Sequence, residues 1–138
     1  MNQMSGYVEV NVGEDVMAFK FGTNAYALFC ELHKIELYQV GESGVFGTWE
    51  GKNMVKPPDI IKMRDLFHCA YVANCRAKSI PVKYNLYEFG DILDEDNTLM
   101  LRLQETMVTS KMFGFNLKEL GGDAAGENFP VEDQLGDS

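Results

Sequence analysis

With 138 residues and a formal charge of −9, the chain is long enough for one domain with its own core and too short for two well-buried ones. No apolar run approaches the roughly 20 residues of a bilayer-spanning helix, and Met1 to Gly6 lacks the basic start and apolar centre of a signal peptide, so a cytoplasmic protein without a membrane span is expected. Three cysteines, Cys30, Cys69 and Cys75, make no disulfide framework and agree with a reducing compartment.

Tyr7 to Val12 alternates apolar and polar residues, Gly13-Glu14-Asp15 turns the chain, and Val16 to Phe21 alternates again, which reads as a β-hairpin. The register expected from the pattern pairs Val12 with Met17, Val10 with Phe19 and Val8 with Phe21. It gathers all six apolar side chains on one face and sets Glu9 opposite Lys20. A lone two-stranded hairpin is marginal in water, so this face must lie on something else.

Thr23 or Asn24 is the expected N-cap of a first helix with Ala25, Leu28, Phe29 and Leu32 at helical spacing, running to about Lys34. Residues 36–58 carry four glycines, the only tryptophan and Pro57-Pro58, and read as a long connection that is functional or mobile. Asp59 then caps the longest apolar helix, from Ile60 to about Lys78. Its wheel gathers Ile60, Met63, Leu66, Phe67, Ala70, Ala73 and Ala77 on one side, with Lys62, Asp65 and Arg76 on the other. Its apolar side is the expected centre of the domain.

Asn85 and Glu88 have capping-box spacing and open a short third helix with Leu86, Phe89, Ile92 and Leu93 on its buried side. Glu95 and Asp96 precede a last helix, expected from about Thr98 to Phe113, where negative charge favours a helix N-terminus. This helix has two apolar stripes: Leu99, Leu103, Met107 and Met100 form one, and Leu101, Val108 and Met112 form another. Either the second stripe meets a partner or the helix is sandwiched within its own domain.

Residues 119–138 hold six acidic side chains with no Lys or Arg, together with four glycines and Pro130. Such a composition cannot offset its ordering entropy and reads as a disordered acidic tail. The expected fold class is therefore α+β, mainly helical. An N-terminal β-hairpin packs on a bundle of about four helices in residues 1–118, and residues 119–138 form the tail. The acidic balance works against nucleic-acid binding, which needs a basic face to neutralise phosphates.

Chemistry finds little support in the residue pattern. Cys30, His33, His68, Cys69 and Cys75 are candidate zinc ligands, but Cys69 and Cys75 lie about 120° apart on their helix. His68 and Cys75 are about 10 Å apart along it, too far for one ion. Cys30 and His33 could meet at i, i+3, yet no carboxylate at a specific spacing orients the pair, and cysteines in amphipathic helices usually pack. Gly47 to Asn53 departs from a phosphate-binding loop in its spacing and in the residue after Lys52. Asp91, Asp94, Glu95 and Asp96 lack the alternation and central glycine of a calcium loop. No catalytic, cofactor-binding or metal-binding residue is assigned, and no cofactor is expected. The candidate partner-binding residues are Phe46 and Trp49 in the glycine-rich loop, and Leu101, Val108 and Met112 in the second stripe. The two rings serve either as interface anchors or as caps on the core.

The order of parts, with Val16 to Leu32 passing from strand through Phe21-Gly22 into helix, resembles the tail assembly chaperones of long-tailed bacteriophages and prophages. The stretch from Ile60 to Leu93 matches as well, through Cys69-Ala70-Tyr71-Val72-Ala73-Asn74, Pro81 and Asn85-Leu86-Tyr87-Glu88-Phe89. The resemblance spans residues 7–113 and departs in the larger, glycine-rich loop from Glu36 to Pro58. It implies a non-enzymatic, mostly helical protein that binds the tape measure protein and keeps it soluble while the tail tube polymerises. It also implies a longer form, made by ribosomal frameshifting, that recruits tail tube protein. Self-association stays open. A different class of reading is a small structural or adaptor subunit that binds a protein partner through its hairpin edge or helical face. A third is a small enzyme using Cys30 or Cys69.

Overall fold

The computed structural model describes residues 5–112 and 115–116, apart from the side chains of Trp49, Met112, Phe115 and Asn116. Strands β1 (Tyr7–Val12) and β2 (Asp15–Lys20) form the expected antiparallel hairpin. Its register differs by two residues from the pattern-based one: Val12 faces Asp15, Val10 faces Met17 and Val8 faces Phe19. The cause is the turn. Gly13 takes φ 61°, which places a two-residue Gly13-Glu14 loop where a longer one was expected. A positive φ at Gly13 with none at Glu14 is the mark of a type II′ turn, whose twist suits the strands.

A shift of two preserves which face each side chain occupies, so the apolar face survives while its partners change. Glu9 stands opposite Ala18, not Lys20, and accepts a hydrogen bond from the Tyr7 hydroxyl at 2.7 Å. Lys20 stands opposite Tyr7, and its ammonium donates to the Phe21 carbonyl at 2.9 Å.

The hairpin lays this face on helix α2 (Ile60–Ala77), with helix α1 (Thr23–His33) beside it. Met17, Phe19 and Phe21 from the hairpin, Ala25 and Phe29 from α1, and Leu66, Phe67 and Ala70 from α2 are all at most 1% exposed. Phe19 sits with its ring 6.0 Å from Tyr71 and 5.7 Å from Phe89, and Phe21 meets Phe67 edge-on at 5.6 Å. Asp59 caps α2 by accepting from the Lys62 amide at 3.1 Å. At the front of α1 the cap position belongs to Gly22, whose side makes no cap bond, and Thr23 is already helical.

Two faces differ from expectation. On α1, Tyr26 is buried while Leu32 is 48% exposed. On α2, Ile60 is 64% exposed because an 18-residue helix, about 27 Å long, overhangs a six-residue strand of about 20 Å.

Beyond α2 the chain turns back over the hairpin loop. Asp15 accepts from the Lys83 ammonium and the Tyr84 hydroxyl, both at 2.6 Å, while the Tyr71 hydroxyl receives the amides of Lys83 and Tyr84. Helix α3 (Leu86–Glu95) starts at the expected capping box, with Asn85 and Glu88 exchanging bonds of 2.8 Å, and it buries Phe89. Helix α4 (Leu99–Val108) lies against β1 and buries Leu99, Leu103 and Met107. It is shorter than expected. A turn through Thr109 and Ser110 leads into a two-residue strand, Lys111–Met112, paired with Phe115–Asn116.

The connection at 36–58 has more structure than its glycines suggested. Glu36 and Gln39 make a capping box on a 3₁₀ turn at Leu37–Gln39, a second such turn follows at Gly41–Ser43, and strands β3 (Thr48–Glu50) and β4 (Asn53–Lys56) form a second hairpin. Among the described residues no helix is long and apolar enough to cross a membrane. The acidic tail, residues 119–138, lies outside the described residues.

Candidate functional site

The last helix divides its apolar residues between two sides. Leu99, Leu103 and Met107 enter the core, whereas Leu101 is 59% and Val108 45% exposed. Seven residues separate these two, which returns them to nearly the same side of the helix, about 10 Å apart. Glu105 lies between them and is exposed as well. The second stripe thus exists for Leu101 and Val108. Met112 falls outside the helix in the short strand that follows, and its side chain is outside the description.

Phe46 is only 9% exposed and belongs to the core cluster with Val40 and Val45. Of the two roles open to it, it takes that of a core cap, because Gly44 and Gly47, at φ 92° and 86°, fold the loop back beside the start of α2. The side chain of Trp49 lies outside the description. Its backbone is in β3, opposite Met54. From Thr48 to Pro57 every other side chain is exposed, including Met54 at 47% and Val55 at 50%.

The histidines and cysteines are occupied in packing. Asp65, expected on the outer side of α2, is instead 5% exposed. It bonds the His33 ring at 2.9 Å and receives two bonds from the Arg64 guanidinium, at 3.0 and 2.8 Å. A carboxylate with both oxygens engaged can be buried at tolerable cost, and this one ties the end of α1 to the first half of α2. Asp65 supplies His33 with an orienting carboxylate that the sequence did not reveal, since the two are 32 positions apart.

No activated thiolate results. Burial, aided by Glu36, raises the Cys30 thiol above its ordinary value, burial pushes Cys69 up to about 12, and burial raises Cys75. A nucleophilic cysteine needs the opposite shift. His68 donates to the Tyr84 carbonyl at 2.8 Å, and burial lowers its pKa. Among the described residues, no group of three or more His, Cys, Asp or Glu side chains is placed to hold a metal ion.

Two further surfaces remain. The hairpin offers backbone edges. The Phe21 amide bonds the Gly6 carbonyl, so Val8, Val10, Met17 and Phe19 pair inward while Glu9, Val16 and Ala18 point their backbone groups outward. The Glu9 carbonyl accepts from Arg102 at 3.2 Å, whereas those of Val16 and Ala18 have no partner among the described residues. An open groove also runs between α1 and α2, lined by Ala27, Leu28, Glu31, Ala73, Arg76 and Ala77. Comparison with family models, curated proteins and solved structures returns no match to this chain.

Proposed function

We propose that the chain is a non-enzymatic phage tail assembly chaperone that binds the tape measure protein in the bacterial cytoplasm and keeps it soluble during tail assembly. The observation that carries the reading is the outer side of α4, where Leu101 and Val108 stay exposed while the opposite side is core. A helix apolar on two sides has one side left for a partner, and a long helical chain awaiting assembly presents matching stripes that would otherwise aggregate. The order of hairpin, helix, long helix, capped helix and amphipathic helix supports the same reading through its resemblance to that family.

Co-expression with a fragment of the tape measure protein is expected to give a soluble complex, and Leu101→Asp to weaken it at least about tenfold, the scale of a lost apolar anchor. Both substitution sites on α4 are exposed, so the fold should persist by circular dichroism. Normal binding by Leu101→Asp and Val108→Asp would remove α4 as the contact. An adjacent, very long coiled-coil reading frame is the expected genomic neighbour.

The outward backbone of Val16 and Ala18 favours a second reading, an adaptor that adds its hairpin to a neighbour's sheet. Ala18→Pro would abolish that pairing and leave an α4-mediated complex intact, which separates the two.

A further inference from the structure

The end of the molecule where the first hairpin passes into α1 collects positive charge. A Cβ at Gly22 would stand 3.1 Å from the Lys20 ammonium and 3.2 Å from the Lys111 carbonyl oxygen, so these two lysines adjoin. Tyr7 stands opposite Lys20 across the strand pair. The Lys78 ammonium donates to the Tyr7 hydroxyl at 3.1 Å and lies 4.5 Å from the centre of its ring. Arg76, two positions earlier in the last turn of α2, is exposed as are Lys78 and Lys111. The acid bonded into this group is Glu9, which accepts from the Tyr7 hydroxyl. At the other end of the ribbon Lys83 pairs with Asp15, whereas Lys20, Arg76, Lys78 and Lys111 have no ion-pair partner among the described residues. Lys20 bears the largest cost. It is partly buried, and burial lowers its pKa with no carboxylate among the described residues to oppose the shift.

We propose that this basic end is the docking surface for the acidic stretch of the same chain, residues 119–138, which occupies it in cis and bars it to other acidic chains. The stretch carries Glu119, Asp123, Glu127, Glu132, Asp133 and Asp137 without a Lys or Arg. Its point of departure favours this surface. Asn116 stands opposite Lys111 in the short ribbon after α4, so Glu119 follows only three residues later, within about 10 Å of chain. A tether this short holds the acids at an effective concentration in the millimolar range, enough for individually weak surface ion pairs to keep the end occupied. It also gives them the advantage over the same acids on a second copy at micromolar concentration. Exposed charges are screened beyond about 8 Å at physiological salt, so the contact is salt-dependent.

Neutralising the six acids removes the occupant without shortening the chain: Glu119→Gln, Asp123→Asn, Glu127→Gln, Glu132→Gln, Asp133→Asn and Asp137→Asn together. The probe is a fluorescently labelled synthetic peptide of residues 119–138, titrated by anisotropy at low salt. The neutralised chain is expected to bind the peptide, and the parent chain to bind it about tenfold more weakly, because its own acids compete. Adding Lys20→Gln, Lys78→Gln and Lys111→Gln to the neutralised chain should weaken the peptide at least about tenfold, as should salt raised to about 0.5 M. Circular dichroism checks the fold, and the exposed pair Lys78→Gln with Lys111→Gln repeats the measurement should Lys20→Gln unfold the chain. No binding by the neutralised chain would overturn the proposal. So would equal binding by the parent and neutralised chains, which means an end left open in cis, or undiminished binding after the lysine substitutions, which places the peptide elsewhere. A parent dimer in sedimentation equilibrium that becomes monomeric on neutralisation would assign the acids to a second copy and overturn the contact in cis.

Discussion

The hairpin of β1 and β2 holds Val10, Met17, Phe19 and Phe21 at 4% exposure or less, while every described side chain of β3 and β4 is exposed. Both are antiparallel ribbons closed by a glycine with positive φ, Gly13 at 61° and Gly51 at 63°. The difference lies in how apolar residues are spaced. Val8, Val10, Met17 and Phe19 alternate and so share one face, whereas Met54 and Val55 are adjacent and project from opposite faces. The first ribbon can hide its apolar area by lying on α2. The second cannot, whichever way it turns. Turn chemistry closes a hairpin, and alternation decides whether it joins a core.

Substitutions that treat the two ribbons alike should therefore give unlike results. The largest effect is expected for Phe19→Ala, whose ring is fully buried between Tyr71 and Phe89, at about 3–5 kcal/mol in urea denaturation. Gly6→Ala, at the base of the first ribbon, comes next. The residue has φ 77°, and an added Cβ would stand 2.5 Å from the Phe21 carbonyl oxygen and 2.9 Å from the Ser110 Cβ. Strain and overpacking together should cost about 2–4 kcal/mol, whereas Gly51→Ala meets only open space and should cost about 1–2 kcal/mol through its φ alone.

Asp15→Asn tests the tie that holds the first ribbon's loop to the chain after α2. Hydrogen bonds from Lys83 and Tyr84 lower the Asp15 pKa below its ordinary 3.8. A lowered folded-state value means that the carboxylate stabilises the fold above pH 3.8, and that this contribution disappears as pH falls through the lower folded value. The variant should lose that part of the acid dependence, so its denaturation midpoint should change less between neutral pH and pH 3 than that of the parent chain. An identical slope would mean the tie is not formed in solution. The smallest effect belongs to Met54→Ser and Val55→Ser, each within about 0.5 kcal/mol because each residue keeps about half of its surface in water. A larger loss would show that the second ribbon packs on the body after all.

Local signals read best. The start of α2 at Asp59 and the capping box at Asn85 and Glu88 were legible because each is closed within three residues. The inner face of the first hairpin was legible for a related reason: any register consistent with alternation keeps the same side chains inside. The strand partners themselves were not, since they depend on whether the turn holds two residues or four, and Gly13 permits the tighter one. The second stripe on α4 was partly legible. Leu101 and Val108 follow from helical periodicity, but the helix ends before Met112, and no capping residue marked that end.

What the sequence determined by itself is which residues can share a face and where helices begin, because period and capping act over one or two turns of chain. Only the tertiary structure decided which faces are covered. It buried Asp65 by bringing His33 to it from 32 positions away, drew Phe46 into the core, and left Ile60 beyond the end of the hairpin. It also gathered Lys20, Lys78 and Lys111 at one end of the molecule. Burial depends on what lies across the interface, and that is set by packing between segments whose separation along the chain carries no trace of their separation in space.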